Sequence, residues 1–352
     1  MNIQPANLSI LEKALTRPTV PPIVFLSPSE AKSYEPPAGA MLVGDCHIVR
    51  GSISVIGGAP GVGKSRASVA LAVAGASGLP WFGFTVHRKF KTLIVQNENG
   101  RYRLKQEFSE LDCAALDEFL RICPPPARGF AFHEPAFAEA LEQAIASFDP
   151  DVVVFDPWNA AARDDKAADY QGAFEAIRSV IPASDSAPAI VIVAHTRKPK
   201  NDEKSSGRGL MHTLAGSYIL SSVPRSVFVL QPASDDTEDD RVVFTCCKNN
   251  DGELGGRSCW QRRNGLFVPA EVDWNEFDGK TESKRRTITE DDLRTLFVGG
   301  KRSLALAFAA KQLEELTGAC RAAAYNALKA TGRFGHLLRE ADGLLSWCGA
   351  AA

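Results

Sequence analysis

No two cysteines in this 352-residue chain have the C-x-x-C spacing, although the chain contains eight of them. This absence argues against a zinc ribbon and against a dithiol redox motif. The only adjacent pair is Cys246 and Cys247, and the others are scattered. Free thiols in a reducing compartment are the simplest interpretation, which indicates a cytosolic protein.

Long apolar runs and an export signal are also missing. No apolar run approaches the ~20 residues that a membrane-spanning helix needs. The first residues, MNIQPANLSILEKALTRP, do not place an apolar core behind a basic start, as a secretory signal does. With 45% hydrophobic and 23% charged residues, the chain is expected to be a soluble, cytoplasmic, globular protein without membrane contact.

What the chain does contain is a glycine-rich loop between an apolar run and an alanine-rich run, within residues 51–76. The loop matches G-x-x-x-x-G-K-[ST], the Walker A or P-loop pattern. Glycines let backbone N–H groups point at phosphate oxygens, and the following helix N-terminus adds partial positive charge. The predicted nucleotide-binding residues are Gly58, Ala59, Pro60, Gly61, Val62, Gly63, Lys64, Ser65 and Arg66.

Two side chains of this loop have specific predicted roles with ATP and Mg2+ as cofactors. Lys64 is expected to contact the β- and γ-phosphates of ATP, and the Ser65 hydroxyl is expected to ligate Mg2+. An ordinary glycine-rich turn between a strand and a helix is the alternative.

Three further polar residues follow apolar runs: Glu98 after KTLIVQ, Asp156 after VVVF and His195 after AIVIVA. Apolar strands that alternate with helices predict a mainly parallel sheet covered on both faces, and ligands bind at the carboxyl edge of such sheets. There Asp156 can hold Mg2+ beside Ser65, as a Walker B carboxylate does. Glu98 can polarise the attacking water, and His195 can bond the γ-phosphate. The alternatives are a helix cap, a solvated loop carboxylate and a satisfied polar side chain.

The most basic loop of the central region covers residues 197–212 and has a net charge of +3. Such a loop suits contact with the phosphate backbone of a nucleic acid, whereas a solvated surface loop is the alternative. The candidate DNA contacts in this loop are Arg197, Lys198, Lys200 and Lys204.

Four regions are predicted along the chain. They are a Pro-rich N-terminal arm (1–40), an ATPase domain (41–272), a linker (273–288) and a small domain (289–352). The arm contains a candidate amphipathic helix, Asn7–Leu15, and is either a flexible leader or a segment that packs on a neighbouring subunit.

The last region is predicted to contain helices near residues 289–298, 303–317 and 319–331, followed by a hairpin that turns at Asp342-Gly343. This order resembles a winged helix-turn-helix domain. Residues 280–340 contain twelve Lys and Arg against seven Asp and Glu, which favours nucleic acid as the partner. Arg321 and Lys329 share one helical face with Tyr325 and Asn326 and are candidate DNA contacts; protein docking is the alternative.

The order GGAPGVGKS, a strand ending at Glu, VVVFDPW and IVIVAHTRK resembles the RecA-like P-loop ATPase superfamily, in its KaiC, RadA and DnaB branch. The closest likeness is to hexameric RepA-type plasmid replicative helicases and related AAA-family ATPases, over about residues 41–270. The resemblance implies that Glu98 is the catalytic base and His195 the γ-phosphate sensor. It also implies a homo-oligomeric ring, with six subunits and single-stranded DNA in its pore.

The chain departs from these relatives where many of them carry an arginine. Ala215 and Asn250 occupy those positions, so no arginine finger is carried over. The candidate cations that would act on a neighbouring subunit are Arg208, Arg225 and Lys248; an ordinary surface cation is the alternative for each.

The sequence thus predicts an α/β, RecA-like P-loop ATPase with a small winged helix-turn-helix domain, which couples ATP hydrolysis to DNA binding or unwinding. The favoured function is a replicative helicase or DNA translocase of the RepA type. An ATP-switched DNA-binding regulator and a RadA-like recombination ATPase without unwinding activity are the alternatives.

Overall fold

The computed structural model describes residues 23–132, 134–158, 167–197, 205–216, 218–278, 288–297, 303–319 and 321–348. In chain order the strands are β1 (Met41–Val43), β2 (Ile48–Val49), β3 (Ile53–Gly58), β4 (Thr92–Gln96), β5 (Leu120–Cys123), β6 (Val152–Asp156), β7 (Ala189–His195), β8 (Ser226–Pro232), β9 (Arg241–Asn249), β10 (Ser258–Arg263), β11 (Leu266–Ala270), β12 (Leu304–Ala305), β13 (Leu338–Ala341) and β14 (Leu344–Trp347).

Helices connect most of these strands. They are α1 (Pro28–Lys32), α2 (Lys64–Ser77), α3 (Arg101–Phe108), α4 (Cys113–Leu116), α5 (Pro135–Phe148), α6 (Ala167–Val180), α7 (Ile219–Ser222), α8 (Trp274–Phe277), α9 (Glu290–Phe297), α10 (Leu306–Thr317) and α11 (Arg321–Leu328). Two 3-10 helices cover Gly207–Thr213 and Gly335–Leu337. Within the described parts of the chain, no helix has the length and apolar character needed to cross a membrane.

Nine strands form the central sheet, in the order β11-β10-β9-β8-β3-β7-β6-β4-β5. The strands from β8 to β5 are parallel to one another, and β9, β10 and β11 add an antiparallel extension beyond β8. The mainly parallel sheet predicted from the sequence is therefore confirmed. The strand that leads into the P-loop, β3, lies at the centre between β7 and β8.

Apolar residues on both faces explain why these strands are buried. Every residue of β3, β4 and β6 is buried, and separate hydrophobic cores cover the two faces of the sheet. One core packs α2 against the sheet, where the Cβ of any residue other than glycine at position 75 would collide with the Phe90 ring. The other contains Phe155, Trp158 and Phe174.

The C-terminal residues form a separate core. α9, α10 and α11 pack with an antiparallel sheet in the order β12-β14-β13. Thr289 caps α9, since its hydroxyl accepts from the Asp292 N–H at 3.4 Å and its own N–H donates to the Asp292 carboxylate at 2.8 Å. The predicted hairpin is also present, and it turns at Asp342 and Gly343, both at positive φ.

Some predicted boundaries differ from the structure. Residues 304–305 were expected to start a helix but pair with β14, so α10 begins at Leu306; pairing with a distant strand overrides the local helix preference. The strands β5, β10 and β11 were not predicted. In the Pro-rich arm, Pro28 begins the short helix α1 behind a Ser27–Glu30 capping box. The candidate helix Asn7–Leu15 lies outside the described residues.

Candidate active site

The P-loop connects β3 to α2 with the backbone curl that phosphate binding needs. Gly61 and Gly63 have φ of 78° and 101°, a region that favours glycine. Gly63 is the N-cap of α2, so the free N–H groups of the first helical turn face the loop. The Lys64 side chain folds back over the loop, and its Nζ donates to the Ala59 carbonyl at 2.9 Å. The loop is therefore shaped as an anion cradle with its lysine in place.

Strand register brings the other predicted residues to the same edge. Gly58 pairs with His195 across β3 and β7, and Gln96 pairs with Asp156 across β4 and β6. The Thr196 N–H donates to the Gly58 carbonyl at 3.0 Å, which fixes the chain after His195 against the P-loop. The carboxyl ends of four parallel strands thus meet around the loop, as expected for a ligand site in such a sheet.

Ser65 and Asp156 form an oxygen-rich pair below the loop. The Ser65 hydroxyl donates a hydrogen bond to the Asp156 carboxylate. Asp156 is only 4% exposed. Burial raises the pKa of Asp156 to about 6, and the Ser65 hydrogen bond opposes that shift. A hydroxyl and a carboxylate are hard oxygen donors of the kind that Mg2+ prefers together with waters and phosphate oxygens. The pair therefore fits the predicted cation.

The described residues contain no group of three or more His, Cys, Asp or Glu side chains that could hold a metal ion. Mg2+ sites for nucleotides commonly use one or two protein ligands and complete the shell with phosphates and water. The Ser65–Asp156 pair is therefore sufficient for a nucleotide-dependent cation site.

The electrostatics of Lys64 and His195 are coupled. Burial lowers the pKa of Lys64, and the nearby carboxylates of Asp156 and Glu98 oppose the shift. Burial and the Lys64 charge lower the pKa of His195, while Glu98 opposes the shift. His195 is consequently a neutral imidazole at neutral pH, one that can donate or accept a hydrogen bond without adding charge.

Glu98 lies on an exposed turn after β4, and the Gln96 side chain holds that turn. The Gln96 Oε1 accepts from the N–H groups of Glu98 at 3.1 Å and Asn99 at 2.6 Å. Its Nε2 donates to the carbonyls of Asn99 at 2.6 Å and Cys123 at 3.0 Å. Gln96 is 1% exposed. Gln96 thus fixes the backbone that carries Glu98, a role that sequence reasoning missed although a glutamine ending an apolar strand was the signal for it.

A family model for the AAA domain, AAA_25, matches residues 18–201. This range is just over half of the chain, and it contains the P-loop, Glu98, Asp156 and His195. The chain belongs to this AAA domain family. The C-terminal core lies outside the matched range.

Among solved structures, the chain is similar to a KaiC-like protein from the hyperthermophilic archaeon Pyrococcus horikoshii OT3. The two sequences are 12% identical, the match covers 66% of this chain and 97% of that chain, and the TM-score is 0.47. A search of curated proteins found no match.

The hairpin of β10 and β11 lies over the P-loop of the AAA domain, which the sequence did not reveal. The Arg262 Nη1 donates to the Gly61 carbonyl at 3.0 Å, and the Arg262 Nη2 forms an ion pair with Asp240 at 3.0 Å. A Cβ placed on Gly63 would lie 3.3 Å from the Phe267 ring and 3.5 Å from Arg262 Cδ. The antiparallel extension of the sheet therefore supports the nucleotide loop directly.

The candidate trans-acting cations have different surroundings. Lys248 Nζ donates to three carbonyls at the end of α7, those of Ser221, Ser222 and Pro224. Arg225 forms a two-pronged ion pair with Asp251. Arg208 is exposed in the 3-10 helix Gly207–Thr213. Its guanidinium is therefore more available to another subunit than that of Arg225 or the ammonium of Lys248.

The candidate DNA contacts are only partly within the described residues. Arg197 follows β7, and its backbone N–H donates to the Thr213 carbonyl at 2.7 Å. Arg321 and Lys329 are exposed at the two ends of α11, and the Arg321 guanidinium lies 5.7 Å from the centre of the Tyr325 ring. Three candidates lie outside the described residues, namely Lys198, Lys200 and Lys204.

Proposed function

We propose that the chain is an ATP-hydrolysing motor that acts on DNA, a replicative helicase or DNA translocase of the RepA type. The observation that carries the ATPase part is the register of the central sheet. It brings the P-loop lysine, the Ser65–Asp156 pair, Glu98 and His195 to one carboxyl edge. This arrangement contains a phosphate cradle, a cation site and a carboxylate for activating water, which together are sufficient for phosphoryl transfer to water.

Each residue has a defined role in this reaction. Ser65 and Asp156 would hold Mg2+, and the ion would supply positive charge to neutralise the phosphate oxygens. Glu98 orients the attacking water and accepts its proton. Lys64 and the loop N–H groups stabilise the charge that develops on the transferred phosphoryl group and on the leaving diphosphate. His195 contacts the γ-phosphate as a neutral imidazole. When hydrolysis removes the γ-phosphate, this contact is lost and the segment after β7 can change position.

The Glu98→Gln variant tests the assignment of the base. It removes the proton acceptor and keeps the side-chain size, so we expect Mg-ATP affinity near that of the wild type and a turnover number lower by about 10²- to 10⁴-fold. Equilibrium binding and phosphate release measure the two quantities. Glu139→Gln, an exposed carboxyl on α5, is the matched control. Undiminished turnover in Glu98→Gln would remove Glu98 from this role.

The proposal of DNA as the partner is supported by the C-terminal core. Three helices and a small antiparallel sheet occur there in the order expected of a winged helix-turn-helix domain. Arg321, Asn326 and Lys329 are exposed on or just after α11, the helix that would read DNA. The excess of basic residues in this region favours the same partner.

The proposal of a ring of identical subunits is supported by the N-terminal arm. Ile23, Val24, Phe25 and Leu26 are between 62% and 89% exposed, and a run of exposed large apolar residues is typical of an interaction segment. In such a ring Arg208 is the favoured cation for the neighbouring active site. Native mass measurements with and without ATP and single-stranded DNA test the assembly: a hexamer supports it, and a monomer under all conditions contradicts it.

Strand displacement on a forked duplex tests the motor function. A helicase separates the strands in an ATP-dependent manner, and Lys64→Ala should abolish this activity. DNA-stimulated ATP hydrolysis without strand separation would instead favour the ATP-switched regulator or the RadA-like recombination ATPase.

A further inference from the structure

A cavity of about 880 Å³ opens at the amino edge of the central sheet. It is lined by Gly51, Ser52 and Ile53 at the start of β3 and by Arg225 directly before β8, whereas the P-loop follows the carboxyl end of β3. Because a strand of six residues spans about 20 Å, the cavity is separate from the candidate active site. Its volume lies within the range of small-molecule sites, about 300–1,000 Å³.

Apolar atoms make up most of the surface of this cavity. Phe174 on α6 and Ile219 on α7 contribute to its walls. Val223, which follows α7, also lines the cavity and is 44% exposed, so it lies at the mouth. Walls of this kind suit the apolar body of a ligand, and the few polar groups among them decide which ligand is selected.

The charged side chains of the lining other than Arg178 are already engaged with side chains of the same chain. The ion pairs and hydrogen bonds that occupy them are Arg50–Asp151, Arg225–Asp251, Tyr34–Asp185 and Gln171–Glu175. These groups have therefore found partners within the folded chain and do not depend on a ligand.

Arg178 on α6 differs from them. Its Nη2 donates to the Gly51 carbonyl at 3.2 Å, but its Nη1 is buried and has no hydrogen-bond partner among the described residues. Burial lowers the pKa of Arg178, and no carboxylate in the described part of the chain opposes this shift. A buried charge without a counter-charge is costly. The cavity wall therefore contains a cationic donor that lacks an anionic acceptor.

We propose that this cavity binds a small apolar carboxylate, whose acid group accepts hydrogen bonds from the Arg178 guanidinium. The apolar body of the ligand packs against Phe174, Ile219 and Val223. A guanidinium presents its N–H groups in a fork that matches the two oxygens of a carboxylate. One uncompensated cation suits a ligand with a single negative charge. The site is independent of the proposed nucleotide-binding function, because it lies at the opposite end of β3.

Calorimetric titration with octanoate, acetate and 1-octanol tests the proposal. Acetate lacks the apolar chain of octanoate, and 1-octanol lacks its charge. Because hydrogen bonds between charged groups are stronger than neutral ones, the wild type should bind octanoate at least about tenfold more tightly than 1-octanol. Acetate should bind at least about 10²-fold more weakly than octanoate, because it buries almost no apolar surface.

Variants of Arg178 test which side chain reads the acid group. Arg178→Leu should reduce the ratio of octanoate to 1-octanol affinity to about twofold or less, because the cation is gone. Arg178→Lys keeps a charge without the fork and should give an intermediate ratio. Arg101→Leu, an exposed arginine at the start of α3, should keep the wild-type ratio.

A second variant keeps the test decisive should Arg178→Leu fail to fold. Val223→Glu places a carboxylate at the mouth of the cavity and should weaken octanoate binding by about tenfold or more, because like charges repel. Val24→Glu, at an exposed position of the N-terminal arm, is the matched control and should bind octanoate like the wild type.

Three results would overturn the proposal. Equal affinity of the wild type for octanoate and 1-octanol would show that the cavity accepts apolar groups, such as a segment of another chain, without reading a charge. An unchanged ratio in Arg178→Leu would remove Arg178 from this role. Competitive displacement of octanoate by Mg-ATP would place the carboxylate in the nucleotide cradle. Octanoate binding by a protein that binds no nucleotide would instead contradict the proposed function and support this site.

Discussion

At the scale of single residues, substitution of Gln96 tests whether this side chain positions Glu98 without itself contacting the reacting groups. Gln96→Leu keeps the approximate volume but removes all four hydrogen bonds that hold the turn of Glu98 and Asn99. A shift of about 1 Å in a catalytic group can cost about 10²-fold in rate. We therefore expect the turnover number to fall by about 10- to 100-fold with little change in the KM for ATP.

Steady-state kinetics with Gln96→Leu and Gln96→Asn measure this effect. The asparagine variant keeps an amide on a shorter side chain and should recover part of the lost rate. A variant that raises KM and leaves the turnover number unchanged would show that Gln96 does not position Glu98.

The candidate catalytic and metal-binding residues at the strand ends share one property, which explains why the sequence could predict them. Asp156 and His195 each end an apolar strand, Glu98 lies two residues after one, and the carboxyl ends of parallel strands meet at one edge. Gln96 also ends an apolar strand, which the sequence shows, but its positioning role depends on bonds to the adjacent turn and to Cys123 on the neighbouring strand β5. The bond to Cys123 joins segments that are distant in the chain, and no local pattern in the sequence reveals it.

At the scale of secondary-structure elements, the β10–β11 hairpin is the part that sequence reasoning missed. Its turn is Asn264-Gly265, with φ of 47° and 73°. Asn-Gly is a strong local signal for a tight hairpin turn, so the turn was predictable from the sequence. Its contact with the P-loop was not, because it depends on β9 and β10 extending the sheet past β8.

This hairpin gives a second prediction. Arg262→Ala removes the hydrogen bond to the Gly61 carbonyl and the ion pair with Asp240. Because a single hydrogen bond contributes about 0.5–1.5 kcal/mol, the Kd for ATP should rise by about 2- to 10-fold. Equilibrium titration measures it. Arg263→Ala, an exposed neighbour on the same strand, is the control; an equal effect of both variants would show that the P-loop contact is not responsible.

At the scale of the whole molecule, Asp151 joins segments that are far apart in sequence. Its carboxylate accepts from Arg50, from Arg88 Nη2 at 2.6 Å and from the Lys91 N–H at 3.1 Å. Burial alone would raise the pKa of Asp151, but the Arg88 and Lys91 hydrogen bonds and the arginine charges outweigh it, so the pKa lies below its ordinary value. The ionised form is therefore stabilised by folding.

The sign of the pH dependence follows from that lowered pKa. The stabilisation is complete above the ordinary aspartate pKa of about 3.9 and is lost as the pH falls through the lower pKa of the folded state. Asp151→Asn should reduce the free energy of unfolding by about 1–3 kcal/mol at pH 7, and the difference should shrink below about pH 4.

Urea unfolding at several pH values measures this difference. Glu118→Gln, an exposed carboxyl before β5, should behave like the wild type throughout. A destabilisation by Asp151→Asn that stays constant down to pH 2 would contradict the ionic explanation.

The separate C-terminal core gives a prediction for a truncated protein. Deleting residues 280–352 removes that core and leaves the two cores of the central sheet complete. We expect ATP affinity to be retained, DNA affinity to fall and the salt dependence of DNA binding to become shallower, because fewer phosphate contacts remain. Binding that is unchanged at several salt concentrations would assign this region to protein docking.

The measurement that tests the central claim most directly is phosphate release from Mg-ATP by the wild type and by Lys64→Ala. The wild type should hydrolyse ATP. The turnover number of the variant should be lower by at least about 10²-fold, because no ammonium group remains to stabilise the negative charge on the transferred phosphoryl group. Lys105→Ala, an exposed lysine on α3, should retain wild-type activity. Hydrolysis by Lys64→Ala at the wild-type rate would contradict the assignment of residues 58–65 as the catalytic nucleotide loop.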